Sequence, residues 1–262
     1  SPPALGAWNT AVDEAILEHV AHGEAPPTLR LYSWKPACLS LGRSQPFNDV
    51  DPEALRANEW DVVRRATGGR AILHTNEITY SIIAPSNNQH VSGNLLESYH
   101  HLAQGLLAAL KLLGANVKMN EEKLDDAAKN NPVCFETPST YEITVDGKKL
   151  IGSAQARQKD GVLQHGSLPL TGDLARITQA LSFPDAVSRQ HAAEKLLARA
   201  STLESALGRA IAWGAASKAF IRGFESALDI HLKRDELSLP EILRVADLVK
   251  EKYAHPDWTE RI

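Results

Sequence analysis

The sequence predicts an α+β fold with a mixed β-sheet core, flanking helices and a helical C-terminal portion. Segments with strand-like alternation are concentrated before residue 170, whereas helical periodicity dominates from Leu174 onward. The dipeptide Asp146-Gly147, which favours a tight turn, joins two of the strand-like segments into a predicted β-hairpin. We therefore predict a single domain over residues 1–262, of which residues 173–262 are mostly helical.

The elements before residue 170 follow from local patterns. Asn9 is a predicted N-cap for a helix over residues 9–21. A second helix is predicted over residues 95–113, with Gly114 as its C-terminal cap. The polar segment 120–131 is predicted to be a loop. The predicted strands are residues 28–34, 37–42, 62–65, 78–84, 140–145, 150–156 and 162–170.

The composition argues against several classes of protein. No apolar run approaches the roughly 18 residues of a membrane helix, so we expect a soluble protein without membrane contact. A net charge of −4 argues against nucleic-acid binding. Two cysteines are too few for a disulfide framework and indicate the cytoplasm, and the scattered histidines predict no metal site. The chain opens at Ser1 and its one methionine is Met119, so we expect that further residues precede Ser1.

Cys134 and Lys149 stand at the two ends of the segment that contains the predicted hairpin. Because a hairpin folds its ends back beside each other, we expect the thiol and the ammonium group to meet. A free cysteine has a pKa of about 8.5, and an adjacent cation lowers it into the reactive range. The pair therefore predicts acyl transfer through a covalent thioester. Cys38, in an apolar strand, is expected to be a buried structural residue.

A second candidate segment is centred on the glycine pair Gly68-Gly69. A glycine pair after a strand lets the backbone approach a ligand closely and expose N–H groups to an anionic oxygen. A plain turn is the alternative interpretation. The surrounding Arg64, Arg65, Arg70 and His74 favour the binding interpretation, because unpaired arginines seldom collect without an anionic partner.

The third candidate segment spans residues 152–167. Alternate positions along its two predicted strands place small or polar groups on one face, which could line a substrate cleft. His165 could serve either the structure or the function, and the sequence leaves both open. The candidates here are Gly152, Ser153, Ala154, Gln155, His165 and Gly166.

Taken in order, these segments resemble the lipoate-protein ligase and octanoyltransferase superfamily, which shares its catalytic fold with the biotin protein ligases. The resemblance covers nearly the whole chain. The matching segments are residues 9–15 (NTAVDEA), 30–34 (RLYSW), 64–80 (RRATGGRAILHTNEITY), 133–135 (VCF), 147–155 (GKKLIGSAQ), 164–167 (QHGS) and 252–258 (KYAHPDW).

The cysteine-dependent, ligase-like octanoyltransferases are the most similar branch, because Arg70 follows the glycine pair and Pro138-Ser-Thr-Tyr-Glu142 follows Cys134. The resemblance implies transfer of an octanoyl group from octanoyl-acyl carrier protein to a lysine of a lipoyl domain. The acceptor would be a 2-oxoacid dehydrogenase lipoyl domain or the glycine cleavage H protein. It further implies catalysis by Cys134 and Lys149, no cofactor and a monomer. The implied substrate-binding residues are Arg65, Gly68, Gly69, Arg70, His74, Gly152, Ser153, Ala154, Gln155, His165 and Gly166.

Three other functions remain open at this stage. An ATP-dependent lipoate ligase would cradle lipoyl-adenylate in the glycine loop and need no cysteine nucleophile. An amidotransferase would move octanoyl between two carrier domains with the same Cys134 and Lys149. A non-catalytic acyl or lipoyl-domain binding module would form no covalent adduct. Two positions depart from the family pattern: Thr75 stands where an aspartate is frequent, and Thr10 where methionine is usual.

Overall fold

The computed structural model describes residues 1–120, 142–158 and 160–262. The α-helices in these ranges are α1 (Gly6–Ala21), α2 (Pro52–Ala57), α3 (Leu95–Leu112), α4 (Ala186–Arg199), α5 (Leu203–Leu207), α6 (Trp213–Leu228), α7 (Leu239–Leu248) and α8 (Pro256–Thr259). The strands are β1 (Thr28–Tyr32), β2 (Cys38–Leu41), β3 (Asp61–Arg64), β4 (Ile72–His74), β5 (Glu77–Pro85), β6 (Lys118–Asn120), β7 (Glu142–Val145), β8 (Lys148–Arg157) and β9 (Gly161–Pro169).

The strands form two sheets. A six-stranded antiparallel sheet has the order β1-β5-β9-β8-β7-β6. A three-stranded sheet has the order β3-β2-β4, in which β2 pairs with β3 in parallel and with β4 in antiparallel orientation. All strands of the described ranges lie before residue 170, and the regular elements after it are helices, as the sequence predicts. The α+β class is confirmed.

Helices cover both faces of the large sheet. On one face α3 and α6 pack against Tyr80 of β5, with Phe220 and Phe224 at the contact. The two helices approach closely at Gly105, because a Cβ there would lie 2.3 Å from the Phe224 ring. On the other face α1 lies between the two sheets and buries its apolar residues against both. None of the helices in the described ranges has the length and apolar content needed to cross a bilayer.

Most predicted elements are confirmed, with shifted ends. The helix α1 begins at Gly6, three residues before the prediction, because Asn9 does not cap it. Its side-chain amide instead donates to the carbonyls of Ala4 and Ser33. The hairpin β7–β8 is confirmed, and both turn residues, Asp146 and Gly147, have positive φ. The short strands β4 and β6 were not predicted, and most of the predicted loop 120–131 lies outside the described residues.

Candidate active site

A cleft opens between the two sheets, with about 460 Å³ of empty space including its open mouth. That size falls in the range of small-molecule sites, roughly 300–1,000 Å³. One wall comes from the small sheet and the glycine loop, and the other from β5, β8 and β9. The lining residues are Thr10, Tyr32, Trp34, Ser40, Arg65, Gly69, Ile72, His74, Thr79, Gly152, Ser153, Ala154, His165, Gly166 and Ser167.

The glycine loop, residues 67–70, lies against the end of β2. A Cβ on Gly42 would lie 1.8 Å from the carbonyl oxygen of Gly69, so only glycine fits at position 42. Gly69 itself has a φ of 90°, in the region that favours glycine. Within the described part of the chain, no acceptor pairs with the backbone N–H groups of Gly68 and Gly69. These N–H groups can therefore receive an anionic oxygen.

The arginines before the loop bind the protein's own backbone. Arg65 donates to the carbonyls of Ser40, Gly68 and Arg70, at 2.8, 2.9 and 2.8 Å. Arg64 is completely buried, and its guanidinium donates to carbonyls of the β2–α2 connection and of the C-terminal segment. These arginines therefore fix the shape of the loop. The anionic ligand is predicted from the sequence on the basis that these arginines are unpaired. Their pairing with backbone carbonyls removes that reason, although Arg65 does line the cleft.

His74 belongs to a buried pair with Glu77. Its Nδ1 lies 2.5 Å from Glu77 Oε1, and its Nε2 lies 3.0 Å from the hydroxyl of Ser40. Glu77 also accepts hydrogen bonds from Thr79 and Ser167. Burial acts to raise the Glu77 pKa, but His74 and these hydroxyl donors hold it below its ordinary value. The sequence predicts a role for His74 but not for Glu77, which stands three residues later.

His74 is further fixed by Trp34, whose ring stacks on the imidazole with centroids 4.1 Å apart. Both imidazole nitrogens of His74 are engaged by the protein. The imidazole therefore forms part of the cleft wall in a fixed orientation. It is connected through Ser40 to Arg65, whose NH1 atom lies 3.1 Å from the Ser40 hydroxyl. Glu77, His74, Ser40 and Arg65 thus form one connected series that ends at the glycine loop.

His165 supports the loop from the opposite wall. Its Nε2 lies 2.6 Å from the hydroxyl of Thr67, and its Nδ1 faces Asp13 at 3.7 Å. Asp13 in turn accepts hydrogen bonds from Arg30 and Tyr32. Burial lowers the pKa of His165, an effect that the Asp13 carboxylate only partly opposes. Burial acts to raise the Asp13 pKa, but Arg30 and His165 hold it below its ordinary value.

This buried histidine predicts a pH dependence of stability. The pKa of His165 in the folded protein is below its ordinary value of 6.5, so the unfolded chain binds the proton more readily. The stabilisation is complete above pH 6.5 and is lost as the pH falls through the lowered pKa. Thermal unfolding at pH 7.5 and 5.5 should therefore show a smaller pH-induced drop in Tm for His165→Gln than for the wild type. The exposed His22→Gln serves as control, and an unchanged pH dependence in His165→Gln would contradict the assignment.

A second polar series reaches the cleft from the side of α3. The Tyr80 hydroxyl lies 2.7 Å from Ser153 Oγ and accepts a hydrogen bond from Gln164. Burial raises the pKa of Tyr80 to about 12, so its hydroxyl stays protonated. Gln155 donates to Ser98 and to Gln164, which places its side chain beneath α3 and outside the cleft lining. Its Oε1 atom is buried and has no hydrogen-bonding partner within residues 1–120, 142–158 and 160–262.

Lys149 is buried on β8, where its Nζ lies 2.6 Å from Glu142 Oε1. The carboxylate offsets the cost of burying the ammonium group. Lys149 pairs with Thr144 close to the turn of the hairpin, and its ammonium group extends to Glu142, the first residue of β7. Cys134 lies outside the described residues, and its meeting with Lys149 stays a prediction. Cys38 is completely buried, and burial raises its pKa, as expected for an inert thiol.

The structure therefore brings together eight of the predicted site residues. Those that line the cleft are Arg65, Gly69, His74, Gly152, Ser153, Ala154, His165 and Gly166. Gly68, Arg70, Lys149 and Gln155 lie outside that lining. Ser40, Tyr32, Glu77 and Tyr80 were not among the predicted site residues, and only the three-residue spacing of Glu77 from His74 gave a signal in the sequence.

The fold and cleft define the class of protein. A bipartite lipoate protein ligase from Thermoplasma acidophilum, described with its E2 lipoyl domain, superposes with a TM-score of 0.82 at 21% identity, over 99% of this chain and 96% of that chain. A lipoate-protein ligase A bound with ATP gives a TM-score of 0.80 at 22% identity, over 99% and 96% of the two chains. These similarities establish the lipoate-protein ligase fold.

Residues 6–225 match the family described as the lipoyl protein ligase A/B catalytic domain, and the chain belongs to that family. Several relatives are named octanoyltransferase LipM. The protein of Anoxybacillus flavithermus is 37% identical over 258 residues, covering 96% of this chain and 93% of the relative. The protein of Exiguobacterium sp. is 39% identical, with the same coverage.

Proposed function

We propose that this chain is an octanoyltransferase of lipoate biosynthesis, which takes the octanoyl group of octanoyl-acyl carrier protein and attaches it to a lysine of a lipoyl domain. The observation that carries the proposal is the extent of the similarity to octanoyltransferases, which covers 96% of the chain. The match to the catalytic-domain family covers residues 6–225, a range that includes every residue that lines the cleft.

The cleft suits an acyl chain that ends in a reactive carbonyl. Tyr32, Trp34 and Ile72 supply aromatic and apolar surface, against which each buried methylene contributes about 0.8 kcal/mol. Elsewhere in the lining, the exposed backbone N–H groups of the glycine loop are available as hydrogen-bond donors to the carbonyl oxygen. Oxyanion stabilisation by such donors is worth roughly 2.7–4 kcal/mol per donor in acyl-transfer enzymes.

The reaction proceeds in two balanced halves. In the first, the Cys134 thiolate attacks the thioester carbonyl, the bond from the carbonyl carbon to the carrier sulfur breaks, and the carrier thiolate takes a proton from Lys149. In the second, the acceptor amine attacks the Cys134 thioester, an amide bond forms, and Cys134 leaves as thiolate. The proton lost by the amine returns to Lys149. Backbone N–H groups of Gly69 or Gly152 receive the oxyanion in both halves.

The partners and the cellular setting follow from this proposal. The donor is an octanoylated acyl carrier protein, and the acceptor is a lipoyl domain of a 2-oxoacid dehydrogenase or the glycine cleavage H protein. We further propose that a monomer in the cytoplasm performs the reaction, within one domain over residues 1–262. Arg70 has no side-chain partner among the described residues and is free to contact the acidic surface of a carrier.

Intact mass of the protein tests the proposal. After incubation with octanoyl-acyl carrier protein and no ATP, the mass should increase by one octanoyl group, and adding the lipoyl domain should remove it. Incubation with octanoate and ATP should leave the mass unchanged. Octanoylation of the lipoyl domain only when ATP is present, with no adduct on the protein, would contradict the proposal and favour an ATP-dependent ligase. If transfer occurred only from another protein domain that already carries an octanoyl group on its lysine, and not from octanoyl-acyl carrier protein, the result would indicate an amidotransferase.

A further inference from the structure

A second cavity adjoins the cleft. This groove has about 500 Å³ of empty space, including its open side, and lies beyond β4. Ile72 lines both cavities, and Glu77 stands between them, because its carboxylate faces His74 and Ser167 of the cleft. The groove is lined by Ile72, Leu73, Thr75, Asn76, Glu77, Pro169, Thr171, Asp173, Leu174, Arg176, Ile177 and Leu196.

The groove combines apolar walls with polar side chains that have no partner. Leu73, Leu174 and Leu196 supply apolar surface. Among the residues that the structure describes, none forms a hydrogen bond or ion pair with the side chains of Thr75 or Arg176. Arg176 as a whole is only partly exposed. A cation in that position favours an anionic ligand, because its own desolvation is otherwise uncompensated.

Two carboxylates, those of Glu77 and Asp173, also line the groove. Neither removes the preference of Arg176 for an anionic ligand. Glu77 is held by three donors on its cleft side. Asp173 accepts a hydrogen bond from the backbone N–H of Ala175, at 2.8 Å, as the cap of the short helix that follows. No ion pair joins Asp173 to Arg176 in this part of the structure, although they stand three residues apart.

We infer that this groove binds the phosphopantetheine arm of the thioester donor, with Arg176 contacting its phosphate. The inference rests on the proposed function. An arm that ends in a thioester must run from the cleft to the carrier surface, and it carries amide groups, an apolar methylated segment and a phosphate. The groove offers a matching series: hydroxyl and amide side chains at Thr75 and Asn76, apolar walls, and a guanidinium. The lysine arm of the acceptor has neither amides nor an anion along its length and would leave these groups unpaired.

Two small donors that differ only in the phosphate test this inference. Wild-type protein should use octanoyl-4′-phosphopantetheine with a KM about tenfold lower than octanoyl-pantetheine, the effect of about 1.4 kcal/mol from one charge-assisted contact. In Arg176→Ala the two donors should have the same KM, equal to that of the wild type with octanoyl-pantetheine, and kcat should change little. Arg189→Ala, an exposed arginine on the neighbouring α4, is the matched control and should behave as wild type.

The possible outcomes distinguish a failure of the groove assignment from a failure of the proposed octanoyltransferase function. Turnover of both donors by the wild type with equal KM would overturn the groove assignment and leave the proposed function standing. A rise of KM for both donors in Arg176→Ala would also overturn it, because it would indicate a structural arginine. Absence of turnover with these donors and with octanoyl-acyl carrier protein alike would contradict the proposed function, and the groove assignment with it.

Discussion

Replacement of Cys134 by serine is expected to lower the rate of octanoyl transfer by about 10⁴-fold or more, the scale of loss on removing an activated nucleophile. The physical reason is protonation. A thiol beside a cation is largely thiolate near neutral pH, whereas a serine hydroxyl stays almost wholly protonated and is a much weaker nucleophile. Single-turnover transfer from octanoyl-acyl carrier protein measures the loss, and intact mass should show no adduct on the variant.

Cys38→Ala is the matched control for this experiment. The Cys38 thiol is completely buried in the core beneath α1, and burial raises its pKa, so it should not react with the donor. The control should keep its octanoyl adduct and its transfer rate, with at most a modest loss of stability. Full activity of Cys134→Ser together with a requirement for ATP would exclude the covalent mechanism and leave the ligase alternative.

The secondary-structure elements that depend on neighbouring residues could be predicted from the local sequence. The hairpin was predictable because Asp146 and Gly147 both accept the positive φ that a two-residue turn demands. The helix α3 was predictable from its apolar spacing, and Gly114 follows it with a φ of 92°. The strand β4 was not predictable, because it has only three residues and is defined by its pairing with distant β2.

The hydrogen-bonding partners of the arginines could not be predicted from the sequence, for a different reason. Their number near the glycine pair indicated an anionic ligand, yet Arg64 donates to the carbonyl of Thr259, 195 residues away. Backbone carbonyls are acceptors that every residue possesses, so no residue type marks where they will converge. The acid that orients His74 was only partly predictable. The spacing of Glu77 from His74 was a local signal, but the donor Ser167, which binds the same carboxylate, stands 90 residues later.

Glu77→Gln is the second change from which we expect a large effect, a fall in kcat of roughly 10²-fold, the size that a displacement of about 1 Å in a site can cause. Glutamine keeps the shape of the side chain but loses the charge that faces His74, and one end of its amide is a donor. It cannot accept from His74, Thr79 and Ser167 together. The imidazole should turn, release Ser40 and Arg65, and allow the carbonyls of Gly68 and Arg70 to move.

A double-mutant cycle with His74→Gln distinguishes this positioning role from general destabilisation. If Glu77 acts through His74, the Glu77→Gln change should cost little further activity in a His74→Gln background. Glu236→Gln, which alters an exposed glutamate in the connection before α7, is the control and should leave both kcat and Tm unchanged. Losses that multiply in the double variant would show that Glu77 and His74 act independently. In that case the connected series from β5 to the glycine loop would not govern the geometry at which the octanoyl carbonyl is held.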